Sequence, residues 1–366
     1  MTKASDATTP PLGGTDDLLQ VFQLGSGPAR DAVRGRIVRL GPALDQAIGG
    51  HGYPAPIAGL LGEALTLAVL LGGMLKYEGV FTLQLKGSGA VRLLVADMTS
   101  AGAVRGYAQF DGALLDAAMA ASDAAAGDPD GTRPSGKRVA ALMRESVPRL
   151  LGQGYLAFTV DQGVHAQRYQ GIVDLRGPTL TECVHHYFAQ SEQMRARLKI
   201  AVGAVQGPGG VSGWRAGGIM IQRMPDADPN AAARGSTAAV AVGPSEDDAA
   251  WTHARALMES ATDAELLDPG LASDRLLWRL FHAEEVHAHP PQPVRAQCRC
   301  SRERVRLVLL SLSPDSRDEL AEDGILAVTC EFCGARYPFS TAELAAQPDA
   351  PPDAPPDPPP DARGAP

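Results

Sequence analysis

The sequence predicts an α+β protein with a mixed α/β N-terminal domain, a helical linker and a small C-terminal cysteine module. Three observations carry that prediction. A long apolar run, IAGLLGEALTLAVLLGGML (57–75), leads into FTLQLKGSGAVRLLVADM, where apolar and polar residues alternate on both sides of a glycine-rich turn. Further on, Trp251, Ala254, Met258 and Ala261 recur at helical spacing. Finally, four of the five cysteines fall in two short runs, QCRCSRE (297–303) and TCEFCGA (329–335).

Length and composition bound the rest. With 366 residues there is chain enough for two or three domains, and 45% hydrophobic with 20% charged residues reads as soluble and globular. A net charge of −9 argues against a general affinity for nucleic acid or an anionic membrane. Residues 1–16 read as a flexible leader without the apolar stretch of an export signal. Clustered thiols behind such a leader suggest the reducing cytoplasm, where cysteines serve metals or redox chemistry more often than static disulfides. The 57–75 run contains Glu63 and several glycines, so it reads as a core helix and not as a membrane span.

A core domain is expected over 17–225. The helical run from Pro54 to Leu75 precedes the hairpin, in which Phe81, Leu83 and Leu85 alternate with Thr82, Gln84 and Lys86; VRGYAQF (104–110) suits a third strand. Small polar residues over 121–137 suggest a flexible insertion. Strand patterns return at 154–161 and 167–175. Thr179 and Glu182 then form a capping-box signature before a helix whose apolar face is Leu180, Cys183, Val184, Tyr187 and Phe188. Cys183 is thereby expected to be a packed core thiol. Two more strands, LKIAVGAV and WRAGGIMIQRM, complete the domain.

Residues 226–289 read as a loop followed by a linker of helices. Beyond the 251–261 stripe, Ser273 is positioned to cap a helix carrying Leu276, Leu277, Leu280 and Phe281. So short a helical block has too few apolar residues to stand alone and must pack on a neighbour. PPQPV (290–294) marks a boundary, the cysteine module runs over 290–345, and the Pro/Asp-rich tail 346–366 reads as extended and disordered.

The thiols are spaced C-x-C, 29 intervening residues, C-x-x-C. Four soft donors in paired tight turns match the tetrahedral preference of zinc, and Gly334 suits the second turn. Arg299, Arg302 and Arg304 would favour thiolates and offset their charge. A zinc in so small a module would support its folding. Neighbouring thiols can also oxidise locally, which would remove a metal worth about 10–16 kcal/mol to a small domain. Chemistry alone permits such a switch without requiring it.

With these residues in view, the sequence resembles the redox-regulated 33-kilodalton heat-shock chaperone family over residues 17–344. PPQPVRAQCRCSRERV and AEDGILAVTCEFCGARYPF carry the resemblance most strongly, supported by HGYPAPIAGLLGEALTLAVLL, GYLAFTVDQGVHAQRYQGIVDL, YFAQSEQ and AGGIMIQRMP. The resemblance implies a non-enzymatic holdase with a C-terminal redox-switch domain. Cys298, Cys300, Cys330 and Cys333 would be ligands of one zinc per chain. On oxidation they would pair as Cys298–Cys300 and Cys330–Cys333, release the metal, and unfold the switch and then the linker. Unfolding client proteins would be bound without ATP, by a homodimer. Trp251, Leu276, Leu277, Leu280 and Phe281 are candidates either for contacting clients or for holding the linker closed. The 121–137 insertion and the proline-rich tail depart from the compact family pattern.

Other signals are weaker. GTRPSGKR (131–138) has Walker-like spacing but ends in Arg where Ser or Thr should meet magnesium, and GGVSG lacks the last glycine of a nucleophile elbow. HAEEVHAH (282–289) is not a zinc-protease motif and reads as a solvated helix end; His185 and His186 read as structural or exposed. Two rival classes are a zinc-ribbon interaction module on an α/β domain and a C-x-x-C thiol oxidoreductase. Against the first, Pro290–Leu344 holds seven Arg and no Lys beside eight acidic residues, leaving no basic excess for phosphates. Against the second, no thioredoxin-like βαβ pattern surrounds Cys330 and Cys333.

Overall fold

Helix α2 (Ala55–Gly72) organises the core. Its mean hydropathy of 1.8 and lack of a polar face demand burial on every side, and 94% of it lies inside the protein. By length and composition it could cross a bilayer, but here it is a core helix. Pro54 stands at its N-cap and Pro56 in its first turn, where a missing N–H costs nothing. The structure, a computed structural model, describes residues 16–25, 33–128, 130–162, 169–190, 195–206, 212–224 and 249–345. The expected leader (apart from Asp16), the loop at 226–248 and the tail at 346–366 lie outside the described residues.

Strands from two six-stranded sheets pack on α2. The first sheet runs β10 (His287–Ala288), β1 (Leu18–Leu24), β2 (Val33–Leu40), β9 (Ser212–Arg223), β8 (Ala196–Gln206), with β11 (Gln292–Pro293) also on β1. The second runs β12 (Arg295–Ala296), β5 (Ala103–Phe110), β4 (Val91–Thr99), β3 (Val80–Gly87), β6 (Gly154–Asp161), β7 (Tyr169–Asp174). All pairings are antiparallel except the short β12–β5 contact. The predicted β3–β4 hairpin forms with Phe81, Leu83 and Leu85 buried. Helix α5 (Leu180–Gln190) starts as expected: Thr179 Oγ1 accepts from the Glu182 amide at 3.3 Å, and all five apolar-face residues are buried. Under it, Glu63 of α2 accepts from the Thr181 amide (3.0 Å) and hydroxyl (2.8 Å), while burial pushes its carboxyl pKa up.

The first sheet is apolar on both faces. Leu19, Val38, Leu40 and Met220 join the core around α2, whereas Phe22, Ile37, Ile219 and Ile221 face the other way. That second face is covered by α6 (Ala249–Glu259), α7 (Asp263–Leu267) and α8 (Ser273–Phe281), through Trp251, Ala254, Met258, Leu276, Leu277, Leu280 and Phe281. The linker therefore finds the neighbour its composition requires. Ser273 does not cap α8: Ala272 is the N-cap, and Ser273 is the buried first helical residue. Sequence reading missed α7, a five-residue helix with a complete Thr262/Glu265 capping box.

Polar contacts fasten α7 to the same sheet. The buried Arg39 guanidinium donates to the carbonyls of Glu265 (3.3 Å) and Asp268, and Arg215 Nε donates to that of Leu267 at 2.9 Å. Asp16 pairs with both guanidinium groups. Burial pulls the Arg39 pKa down, opposed by the Asp16 charge. At Gly217 of β9 a Cβ would lie 2.2 Å from the Leu266 carbonyl oxygen, so only glycine admits α7 this close.

Two expectations need correction. Apart from Pro129, which lies outside the described residues, the 121–137 segment is built into two helices and a turn rather than a loose insertion: α3 (Gly112–Ala125) and α4 (Ser135–Met143) flank a stretch in which Asp128 accepts from the Thr132 amide (3.0 Å) and hydroxyl (2.7 Å) and the Arg133 amide (2.9 Å). Arg138 also pairs with Asp123. Buried carboxylates thus satisfy polar groups that composition alone assigns to water, and the Thr132 and Arg133 amides of the Walker-like stretch are taken up by Asp128. HAEEVHAH, in turn, is not simply a helix end. His282–Glu284 form a short 3-10 turn, and His287–Ala288 form the edge strand β10.

The chain divides into two compact units, Met1–Cys298 and Arg299–Pro366. Helices α6–α8 and the PPQPV segment belong to the first. The second contains α9 (Arg302–Leu310), α10 (Pro314–Leu320), a hairpin of β13 (Ile325–Thr329) with β14 (Arg336–Ser340), and α11 (Thr341–Ala345). Its core is four buried side chains, Leu309, Leu326, Phe339 and Leu344.

Candidate metal centre

The first cysteine pair lies between a strand and a helix. β12 is held to β5 by the Gln297 amide donating to the Val104 carbonyl at 3.0 Å. Ser301, directly after Cys300, caps α9 by accepting from the Arg304 amide at 3.2 Å. Cys300 thus sits directly before the capped N-terminus of α9. The second pair occupies the β13–β14 turn. Cys330 N donates to Ala335 O and Gly334 N to Cys330 O, both at 2.8 Å, and Gly334 takes the left-handed φ of 70° that the sequence suggested.

The four Sγ atoms of Cys298, Cys300, Cys330 and Cys333 lie within 4.8 Å of one another. None is joined in a disulfide and none is buried. A tetrahedron with metal–sulfur bonds of about 2.3 Å has sulfur–sulfur edges of about 3.8 Å. The 3.4 Å separation of Cys300 and Cys333 and the 4.8 Å limit bracket that edge, while both far exceed the roughly 2.05 Å of a disulfide. Donor type, number and spacing therefore fit one tetrahedral thiophilic ion. Among the described residues this is the one group of three or more His, Cys, Asp or Glu side chains assembled for a metal.

The surroundings differ in part from expectation. Arg302 is turned to Glu343 (2.9 Å) and lies over the Phe339 ring, and Arg304 donates to the Arg299 carbonyl at 2.6 Å. Sequence reading missed Tyr337, whose hydroxyl donates to Cys300 Sγ at 3.1 Å. That hydrogen bond, with the neighbouring thiols, pushes the phenol up to about 12. The β13–β14 register, which pairs Tyr337 with Val328, brings it there, and no motif announces it. Arg105 of β5, fixed by Asp97 at 2.8 Å, reaches to 4.0 Å from Cys298 Sγ.

The fifth cysteine is unrelated to the cluster. Cys183 is fully buried on α5, and desolvation pushes its thiol up to about 11. Trp251, Leu276, Leu277, Leu280 and Phe281 are gathered by the structure on one sheet face, in the core of the first unit.

An α+β body followed by a clustered four-cysteine site defines a class of cysteine-centre proteins, and comparison with known proteins narrows it. The family model described as Hsp33 protein matches residues 22–340. The 33 kDa chaperonin of Caulobacter vibrioides is 40% identical over 329 residues, covering 90% of this chain and 96% of its own. That of Ectopseudomonas mendocina is 35% identical over 315 residues, covering 86% and 90%. The crystal structure of the Thermotoga maritima 33 kDa chaperonin superposes with a TM-score of 0.62 at 22% identity, covering 90% and 96%, which supports the fold. The chain belongs to the Hsp33 family.

Proposed function

We propose that this chaperone is a redox-regulated, ATP-independent holdase, held inactive in the reduced form by zinc at Cys298, Cys300, Cys330 and Cys333. Family membership supports a chaperone that binds unfolded client proteins and is not an enzyme. The assembly of four cysteine sulfurs within 4.8 Å of one another is the observation that carries the redox reading. When bound, zinc would cross-link a module whose own core is only four side chains. Oxidation takes two electrons from each thiol pair, reducing one peroxide to water per disulfide formed. Four thiolate donors are lost with it, and so is the metal site.

The pairing Cys298–Cys300 and Cys330–Cys333 rests on the family resemblance. Unfolding then spreads from a switch at 290–345 into a linker at 226–289, leaving a core of 17–225 between the leader and tail. Detachment of α6–α8 would expose the apolar sheet face carrying Phe22, Ile37, Ile219 and Ile221. That surface, with the linker residues themselves, would hold clients, with dimerisation in the oxidised form. The setting proposed is the cytoplasm, with no role for nucleic acid or membranes.

The deciding experiment is light scattering of a heat-aggregating client without ATP, comparing reduced zinc-loaded with peroxide-treated protein. Suppression only after oxidation, with zinc released, supports the reading. Equal behaviour of both forms would leave a structural metal site and overturn the switch.

A further inference from the structure

A second apolar feature of the first unit lies apart from the linker. A cavity of about 370 Å³ opens where the end of α2 meets β3, β6, β7 and α5, lined among others by Met74, Leu75, Phe81, Phe158, Tyr169 and Phe188. Its volume falls in the range of about 300–1,000 Å³ typical of ligand pockets. The hydroxyls in its wall point at protein partners, Tyr77 to the Met98 carbonyl (3.1 Å) and Tyr169 to Tyr187 (3.3 Å). Apart from Lys76 and Gln162 the rest of the lining is apolar or aromatic, and Leu75 and Tyr169 are 43% and 53% exposed.

The cavity adjoins an open sheet edge. Among the described residues β7 pairs only with β6. The Leu175 amide donates to the Gly154 carbonyl, so Val173, Gly171 and Tyr169 direct their backbone groups toward β6 in the same alternation. Gln170, Ile172 and Asp174 therefore direct theirs outward. Ile172 on this edge is 61% exposed. A strand added there would place every second side chain on the face that bears Tyr169, at the cavity mouth.

We propose that the β7 edge and this cavity form a docking site for an extended, aromatic-rich segment of a non-native polypeptide, bound by strand addition with one apolar side chain anchored in the cavity. The proposal rests on the client-binding reading and names a surface for it. Unpaired backbone groups beside an aromatic pocket match what an unfolding chain exposes and a folded one hides. Among the described residues helices α6–α8 cover the first sheet and not β7, so release of the linker is not needed to uncover this edge. One strand and one anchor bind weakly; the sheet face uncovered by linker release adds a second attachment on the same molecule, and linked sites multiply affinity.

The test is fluorescence anisotropy of a labelled peptide of about eight residues, alternating phenylalanine and threonine, with the full-length protein. Reduced zinc-loaded and oxidised protein should both bind it. N-methylation of alternate peptide amides should weaken binding about tenfold or more, as loss of two or three hydrogen bonds requires. Leu75→Glu, at an exposed rim position, should weaken it comparably while leaving the circular dichroism unchanged. Equal binding of the N-methylated peptide, no effect of Leu75→Glu, or self-association through β7 in place of peptide binding would each overturn the proposal. Aggregation suppression measured in parallel separates the two readings: its failure after oxidation sinks the redox switch and leaves peptide binding standing, while normal suppression with unaltered N-methyl peptide binding sinks this site alone.

Discussion

Phe281, the last residue of α8, stacks on Phe22 of β1 with ring centroids 5.5 Å apart and an interplanar angle of 30°, both rings being fully buried. One aromatic pair thus joins the end of the linker to the centre of the sheet face it covers. Phe281→Ala should cost about 3–5 kcal/mol, the usual price of emptying an aromatic core site. The loss falls on linker docking, because Phe281 belongs to the buried cluster that joins α6–α8 to this sheet face. Hydrogen exchange in reduced, zinc-loaded protein should show α6–α8 unprotected while α2 stays protected, with partial suppression of client aggregation before any oxidant is added. Unchanged protection of α6–α8 would refute the assignment.

Arg39 and Arg215 hold the C-terminal carbonyls of α7 from the sheet side. Arg39→Met keeps volume but leaves the Glu265 and Asp268 carbonyls without their donor, at about 1–3 kcal/mol for each acceptor left buried and unpaired. Amides of α7 should exchange about tenfold faster for every 1.4 kcal/mol lost. Arg39→Lys should not restore them, since one ammonium cannot reproduce the fork that spans two carbonyls.

Tyr337→Phe removes the hydroxyl donating to Cys300 and nothing from the four-residue core. Chelator competition under reducing conditions should show zinc affinity reduced about 10–100-fold, the usual effect of losing a partner of a metal ligand. Cys330→Ser should do more: metal content falls, the β13–β14 module loses its dispersed amide resonances, and peroxide no longer changes activity. A Cys330→Ser protein with full zinc affinity and normal activation would refute the switch.

Glu63 gives the pH prediction. Burial raises its folded-state pKa above the ordinary value of 4.5, so the folded protein holds the proton longer than the unfolded chain. Its contribution is intact below pH 4.5 and is lost as pH rises through the folded value. Glu63→Gln keeps an oxygen for the Thr181 amide and hydroxyl without any charge to desolvate. The variant should melt at a higher temperature than the parent at pH 7–8, with the gain vanishing below the carboxyl's ordinary range. A gain independent of pH would point to packing instead.

Much of the site was legible before any coordinates. Cysteine type and spacing named the four thiols that the structure gathers within 4.8 Å of one another, because thiols in two close pairs have few other uses. Gly334 was legible because a left-handed turn needs it. Tyr337 and Arg105 were not, since strand register and sheet pairing, which are long-range, bring them to the thiols. The arginine prediction was only partly right for the same reason: adjacency in sequence puts Arg302 and Arg304 near the pair, but Glu343 and the Arg299 carbonyl claim them.

In the fold, local periodicity determined the helices, the β3–β4 hairpin and the capped α5, because apolar spacing and caps act over a few residues. Tertiary structure alone decided where α6–α8 dock, since an apolar stripe specifies that it must be buried but not against which partner. It also decided that α3 and α4 extend into the stretch expected to be a loose insertion, because the carboxylates of Asp123 and Asp128 meet their partners only after the helices fold. Sequence by itself determined that this chain carries a four-thiol centre and a linker unable to stand alone. Only the assembled sheets decided what that linker conceals: an apolar sheet face carrying Phe22, Ile37, Ile219 and Ile221.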